Sequence, residues 1–201
     1  MSDLARRTAQ WQPDLRAALR GLYGDRAAQV EASVLAAVTS ADRTRTPALT
    51  ARDLARELEP DWFQQPGRVG YIAYAHHFGG TLKGVGERVP YLQELGVDMV
   101  HLMSVLRPRA GEDDGGYAID DYRDVDPSLG TLDDLRALIR RLHGAGVSLV
   151  LDLVMNHTSD SHPWAQAARA GDPDALSLYL TYPDRTLPDA YERTLPEVFP
   201  D

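Results

Sequence analysis

A helix–glycine–strand pattern occurs twice in the sequence, and it constrains the fold more than any other feature. Leu95-Gly96-Val97 and Ala145-Gly146-Val147 lie fifty residues apart. In each copy the glycine is placed to end a helix in the left-handed conformation, and the valine begins an apolar run typical of a strand. Strands that alternate with helices are typical of parallel pairing. We therefore predict an α/β fold built on a parallel sheet.

The apolar pattern predicts three strands, at residues 69–75, 98–103 and 147–155, with a helix between each pair. The helical faces are Leu82, Val85, Val89, Leu92 and Leu95, then Leu135, Leu138, Ile139 and Leu142. Thr131 and Asp134 have the spacing of a helix cap. The third strand is apolar almost throughout, so we expect both of its faces to be buried. Periodicity alone leaves both an open doubly wound sheet and a (β/α)8 barrel possible.

The regions on either side of these strands have a different character. Residues 1–64 carry apolar residues at helical spacing and predict a separate all-helical domain. After His157 the strand pattern ends, and residues 158–201 predict one short helix, at 164–170, followed by loops rich in Pro, Asp and Tyr. The last residues, Phe199-Pro200-Asp201, provide no helix cap or polar tail, so we expect the sequence to be cut from a longer one.

Composition limits the classes of partner and the location. The chain has 21 Lys and Arg against 30 Asp and Glu, so its net charge of -9 disfavours a nucleic-acid partner. It has no Cys, which excludes disulfides and thiolate metal sites. No apolar run has the length of a signal peptide or membrane span. We expect a cytoplasmic protein without a membrane partner; oligomeric state is not indicated.

The segment from Asp152 to His157 carries the strongest chemical signal. Asp152 lies inside an apolar run, and a carboxylate there costs several kcal/mol unless it is paired or hydrogen-bonded. Asn156 and His157 follow at the carboxyl end of the strand, where parallel α/β folds bind their ligands. The alternative interpretation is a structural Asp followed by an Asn that caps a helix.

A second signal is the turn Asp113-Asp114-Gly115-Gly116-Tyr117, in the connection from 104 to 130 after the second strand. A loop of this length is typical of a functional segment, and its glycines allow the backbone to approach a ligand closely. Asp114 has the chemistry to hydrogen-bond sugar hydroxyls, and Tyr117 has a ring that can stack on a sugar. The alternative is a solvated acidic turn.

Together these segments resemble the α-amylase superfamily of retaining glycoside hydrolases and transglucosylases. The matching motifs are Leu92-Gln93-Glu94-Leu95-Gly96-Val97, Gly115-Gly116-Tyr117, Tyr122-Arg123-Asp124-Val125-Asp126-Pro127, Gly130-Thr131, Leu142-His143 and Asp152 to Thr158. Within the superfamily the chain is most similar to the amylosucrases. That similarity rests on the helical N-terminal region and on Gly79 to Gly84, His101-Leu102-Met103, His162 to Gln166, Ala170-Gly171-Asp172-Pro173, Tyr182 to Arg185 and Arg193 to Asp201.

The resemblance implies a fold and a reaction. The fold is a (β/α)8 TIM barrel, of which 65–157 would be the first part, with about three strands, and 158–201 the start of a domain inserted after strand three. The reaction is cleavage of sucrose, transfer of glucose to an α-1,4-glucan and release of fructose, with no cofactor or metal. Retention requires two carboxyl groups ~5 Å apart. The family places them after strands four and five, so we expect this chain alone to be inactive and to aggregate.

The resemblance also implies a role for each candidate residue. Asp114 would hold the distal hydroxyls of the glucosyl unit, together with an Arg outside this sequence. Tyr117 would be the stacking platform under the reacting ring. His157 would hydrogen-bond the same unit and favour its oxocarbenium-like state. Asp152 and Asn156 would be scaffold residues that hold the floor of the site.

The sequence departs from the family pattern at two positions. His76 stands where the family usually has an acid, and Ser104 stands where it tends to have Pro, so we expect changes at the end of strand one and in the loop after strand two.

Several alternative functions are also compatible with the sequence. A sucrose hydrolase or an α-amylase-type glucan hydrolase shares the core motifs. His76, His77 and His157 are also compatible with a metal-dependent barrel hydrolase. A non-catalytic fragment or glucan-binding remnant is the alternative outside the enzymes.

Overall fold

The structure is a computed structural model that describes residues 3–194. The chain forms two compact units, Met1–Gln65 and Pro66–Asp201. Residues 195–201 lie outside the described part, so the end of the Arg193–Asp201 motif, with Phe199-Pro200-Asp201, carries no structural result. In residues 3–194, no helix is both long and apolar enough to cross a membrane.

In its described residues the first unit contains three α-helices, α1 (Asp3–Tyr23), α2 (Ala27–Asp42) and α3 (Pro47–Leu58), with short 3-10 turns at Gly24–Arg26 and Trp62–Gln64. The chain leaves α1 at Gly24, which has a φ of 51°. Thr46 caps α3 by accepting a hydrogen bond from the Leu49 backbone N–H. The buried part of this unit includes a charge: Glu31 accepts hydrogen bonds from Gln12 and Arg16 and is 7% exposed. These bonds, chiefly the one from Arg16, lower the pKa of Glu31 to about 2.

The second unit contains five strands and seven helices in the described residues. The strands are β1 (Gly70–Tyr74), β2 (Met99–Met103), β3 (Leu106–Pro108), β4 (Ile119–Val125) and β5 (Ser148–Leu151). The helices are α4 (Ala75–Gly79), α5 (Leu82–Glu87), α6 (Val89–Glu94), α7 (Leu132–Gly144), α8 (Pro163–Arg169), α9 (Pro173–Leu176) and α10 (Thr186–Glu192).

The main sheet is parallel and has the order β1-β2-β5, which confirms the predicted α/β architecture. Gly96 and Gly146 have φ angles of 71° and 80°, as the repeated pattern predicted. The capping box at the start of α7 is complete, because Thr131 and Asp134 each accept from the other's backbone N–H. Local turn and cap signals in this region therefore predicted the structure correctly.

Helices α5, α6 and α7 pack against one face of the main sheet. Val100 and Leu102 of β2 are fully buried in a cluster that includes residues from α5, α6 and α7, among them Leu82, Leu92 and Leu142. On the alternating positions, Ile72, His101 and Val150 lie in register across β1, β2 and β5. Ile72 is 61% and Val150 37% exposed. The sheet therefore has a packed face and an open face, and His101 lies on the open one.

The third predicted strand is shorter and less buried than expected. β5 ends at Leu151, and Leu153 and Met155 beyond it are 65% and 82% exposed. The prediction of a strand to residue 155 with both faces buried was wrong. Leu151 pairs with Leu102 and β2 ends one residue later at Met103, so the ladder between the two strands could extend β5 by at most one further residue pair.

The connection after β2 is also more ordered than predicted. It contains the antiparallel pair β3–β4, interrupted by shifts in register, where a loop was expected. Ile119 and Val125 anchor β4, with 1% and 2% exposure, but the charged residues between them obscure an alternating pattern. The single helix expected at 82–95 is two helices: α5 ends at Glu87 and α6 begins at Val89, because Pro90 in its first turn has no backbone N–H with which to continue α5. Helices α9 and α10 replace part of the predicted loops after residue 170.

Candidate functional site

Asp152 lies at the centre of a hydrogen-bond network at the carboxyl end of the sheet. His101 Nε2 is 2.8 Å from Asp152 Oδ1, and the Tyr117 hydroxyl donates to Asp152 Oδ2 at 3.0 Å. Because β2 and β5 are parallel neighbours, the open-face position of His101 brings its ring next to the first residue after β5. The prediction that Asp152 needs partners is therefore confirmed, and the partners are His101 and Tyr117.

The Tyr117 phenol is held in its neutral form. Burial raises its pKa, a hydrogen bond with Ser104 acts in the opposite direction, and the Asp152 carboxylate raises it further, so that the net effect is upward. A neutral phenol can donate, whereas a phenolate beside a carboxylate would be repelled. The ring is half-buried and fixed at its hydroxyl end.

His157 lies against the same tyrosine. Its Nε2 is 3.2 Å from the Tyr117 carbonyl oxygen, and its Nδ1 is 3.4 Å from Asn156 Nδ2. A carbonyl can only accept and an amide nitrogen can only donate, so in this arrangement Nε2 donates to Tyr117 and Nδ1 accepts from Asn156. The His157 backbone is held as well, because the Tyr122 hydroxyl donates to its carbonyl oxygen at 2.9 Å.

The turn that leads to Tyr117 has an unusual backbone. Asp114 has a φ of 54°, and Gly115 and Gly116 follow with 65° and 88°. Three hydrogen bonds to Asp113 close the turn. Gly116 N donates to its carboxylate at 3.2 Å and to its carbonyl oxygen at 3.1 Å, and Ala118 N donates to the same carbonyl oxygen at 2.9 Å. Asp114, at its tip, is exposed to solvent.

The segment after His157 is attached to β4. Ser159 donates its backbone N–H to the Ile119 carbonyl at 3.0 Å, and the side chains of Ser159 and Ser161 both donate to Asp120. Burial alone would raise the pKa of Asp120, but these two hydroxyls lower it below its ordinary value. An ionised Asp120 thus holds the chain just after His157 against β4.

The structure brings four of the five candidate residues into direct contact. Tyr117 joins Asp152 and His157, and Asn156 contacts His157, whereas Asp114 is linked to them only through the turn that it shares with Tyr117. The sequence analysis did not identify His101 or Ser104 as part of this network. His101 alternates with the apolar Val100 and Leu102, a pattern that could have placed it on the open face. Ser104 differs from the residue that the family tends to have, but that difference indicated a change in the loop and not a part in this network.

The histidines of the metal-hydrolase alternative lie after β1. His76 and His77 belong to α4, their rings are 3.9 Å apart, and both contact Tyr74. Within residues 3–194, no group of three or more His, Asp or Glu side chains is arranged to hold a metal ion.

Comparisons with known proteins identify similar chains. A family model described as alpha amylase, catalytic domain, matches residues 31–197. A trehalose synthase from Pimelobacter sp. (strain R48) is 41% identical over 127 residues, which are 58% of this chain and 21% of that protein. An oligo-1,6-glucosidase from Parageobacillus thermoglucosidasius is 39% identical over 107 residues, 53% of this chain and 19% of that protein.

A solved structure is similar as well. It is a mutant of MutB from crystals soaked with trehalulose, with a TM-score of 0.53 and 31% identity over 59% of this chain and 22% of that one. The chain thus spans about a fifth of the length of the proteins that it matches.

Proposed function

Because this chain belongs to the alpha-amylase family of glycoside hydrolases and transglucosylases, we propose that it carries the glucosyl-binding side of a sugar-cleaving active site. Its three parallel strands are the first part of the family's (β/α)8 barrel, preceded by a helical region. We further propose that residues 158–201 begin a domain inserted after the third strand. In such barrels the ligand lies at the carboxyl ends of the strands, where the Asp152 network is located.

One observation carries the proposal: Tyr117 and His157, which follow different strands, lie in contact around Asp152. With its hydroxyl bonded to a carboxylate, the Tyr117 ring is a rigid surface on which a sugar ring can stack. His157 lies beside it, and its Nδ1, which has the longer of the two ring contacts at 3.4 Å, is the nitrogen that can exchange Asn156 for a sugar hydroxyl. The exposed Asp114 carboxylate, three residues away, can accept hydrogen bonds from two neighbouring sugar hydroxyls.

The specific reaction proposed is cleavage of sucrose with transfer of glucose to an α-1,4-glucan and release of fructose. A retaining reaction needs a nucleophilic carboxylate and an acid/base carboxyl ~5 Å apart. We assign these to strands four and five of the barrel, outside the present sequence. Asp114, Tyr117 and His157 then bind and distort the glucosyl unit, while Asp152 and Asn156 hold the last two in place.

A glucoside hydrolase or a disaccharide-converting enzyme is the second candidate. It is favoured by the names of the similar proteins, an oligo-1,6-glucosidase and a trehalose synthase. A sucrose hydrolase or an α-amylase-type hydrolase would use the same glucosyl subsite, because these enzymes differ in what occupies the neighbouring acceptor position. A glucan-binding chain without catalysis is the candidate outside the enzymes.

The test is a product analysis on the full reading frame that contains this chain. Sucrose, trehalose, isomaltose and a linear α-1,4-glucan are supplied separately, and fructose, glucose and new glucan are quantified. We expect fructose from sucrose in excess over free glucose, together with elongated glucan. Glucose from isomaltose, or interconversion of trehalose without fructose from sucrose, selects the second candidate. Binding of glucan without any product selects the non-catalytic one.

A pair of variants connects the reaction to this site. Asp114→Asn removes the charge that would hold the sugar hydroxyls, and Asp133→Asn removes a charge at the exposed start of α7. We expect the first to reduce fructose release at least tenfold and the second to leave it unchanged, because a hydrogen bond to a charged group contributes about 1.5–3 kcal/mol. Equal activity of the two variants contradicts the proposed site.

A further inference from the structure

Ser104 has a backbone conformation that an ordinary residue rarely adopts. It follows β2 directly, is only 9% exposed and has a φ of 53°. Left-handed residues other than Gly occur chiefly where the surrounding structure imposes the conformation, and they are concentrated at functional sites. The conformation of Ser104 therefore requires a reason in its contacts.

Those contacts are with the turn that carries Asp114 and Tyr117. Ser104 Oγ donates to the Gly115 carbonyl oxygen at 2.8 Å, and the Ser104 side chain acts to lower the pKa of the Tyr117 phenol. The fit is close, because a Cβ added to Gly116 would lie 2.8 Å from Ser104 Cβ. A larger residue at position 104 would displace the turn, and a residue without a hydroxyl would leave the Gly115 carbonyl without this donor.

We propose that Ser104 is a positioning residue for the sugar site, an inference that rests on the proposed function. Its hydroxyl ties the Gly115 peptide to the end of β2 and thereby fixes the two groups on either side, the Asp114 carboxylate and the Tyr117 ring. Ser104 is buried and acts on the sugar only through these two residues. The left-handed backbone aims its side chain at the turn rather than along the open face.

Three substitutions separate the hydroxyl from the backbone. Ser104→Gly keeps the positive φ without strain and removes the hydroxyl. Ser104→Ala removes the hydroxyl and keeps the Cβ. Ser104→Pro cannot adopt a positive φ and has to rebuild the connection after β2. Ser128→Gly is the matched control, because it makes the same exchange at an exposed position after β4.

Two readouts are measured on each folded variant: the titration of Tyr117, assigned by comparison with Tyr117→Phe, and the affinity for sucrose and glucose. Since the Ser104 side chain acts to lower the pKa of Tyr117, removing its hydroxyl in Ser104→Gly and Ser104→Ala is expected to shift the Tyr117 titration to higher pH. We expect sugar affinity to fall about threefold to tenfold in both, as for one hydrogen bond, and further in Ser104→Pro. Ser128→Gly must change neither readout.

The outcomes distinguish this inference from the function on which it rests. An unchanged Tyr117 titration and unchanged affinity in Ser104→Gly overturn the positioning role, even if Ser104→Pro fails to fold. A shifted titration in a protein that binds neither sugar supports the positioning of Tyr117 and overturns the proposed function. A shifted titration with reduced affinity supports both.

Discussion

The contact between Tyr117 and Asp152 can be tested by a double-mutant cycle. Tyr117→Phe removes only the hydroxyl that donates to Asp152 Oδ2, and Asp152→Asn keeps the shape of the side chain but removes its charge. In each single variant the other partner stays in place. The double variant shows whether the two residues stabilise the fold independently or through one shared bond.

The structure sets the expected magnitude. A hydrogen bond to a charged group contributes about 1.5–3 kcal/mol, and the value falls when the pair is partly open to water. The Asp152 side chain is 27% exposed, so we expect Tyr117→Phe to lower the free energy of unfolding by about 1–2 kcal/mol. Asp152→Asn also weakens the hydrogen bond between His101 and residue 152, so it should lower the free energy of unfolding by about 1 kcal/mol more than Tyr117→Phe does. The coupling energy should be about 1 kcal/mol.

The assay is urea unfolding of the full reading frame that contains this chain, followed by tryptophan fluorescence and near-UV circular dichroism, with one slope used for all four proteins. Tyr91→Phe combined with Asp152→Asn is the control, because Tyr91 belongs to α6, in the helical layer. That pair should be additive within about 0.5 kcal/mol. A coupling energy below about 0.5 kcal/mol between Tyr117 and Asp152 would show that the carboxylate does not hold the phenol.

Three further predictions concern the stability of the elements around the site. Thr131→Ala should lower the free energy of unfolding by about 1 kcal/mol in urea titrations, because it removes the N-terminal cap of α7; an unchanged midpoint would contradict that role. Leu142→Ala should cost about 2–5 kcal/mol in the same assay, because this fully buried side chain leaves a cavity between α7 and the sheet; a loss below about 1 kcal/mol would mean that the interface is not packed as described. The lowered pKa of Glu31 stabilises the helical unit above the ordinary carboxyl pKa of 4.5, and this contribution is lost as the pH falls through about 2. Helical circular dichroism between pH 5 and 2 should therefore show a loss of stability that is absent from Glu31→Gln; identical acid titrations of the two proteins would exclude Glu31 as the cause.

The parts of the fold that the sequence predicted depend on local physics. Gly96 and Gly146 had to be left-handed because each ends a helix that leads into a strand, and Thr131 had to cap α7 because its partner follows three residues later. The three parallel strands follow from the same alternation. The end of β5 was not predictable in this way, because it depends on how far the pairing with β2 runs, and β2 is distant in the sequence.

The candidate site was predictable in its residues but not in its connections. An Asp inside an apolar run requires a partner, which identified Asp152, yet the partner His101 is 51 positions away and becomes a neighbour only through strand register. The role of Ser104 depends on a backbone angle and on the close approach of Gly116. Neither the His101–Asp152 contact nor the contacts of Ser104 can be predicted from the spacing of residue types in the sequence.

In the proposed function, the turn at 113–117 and the segment at 152–157 form one binding surface for a glucosyl unit. The most direct measurement is a backbone amide NMR titration with sucrose, with fructose as the control ligand. We expect saturable chemical-shift changes to concentrate in the amides of these two segments and to be lost together in Tyr117→Ala. Shifts confined to one segment, or equal shifts with fructose, would contradict it.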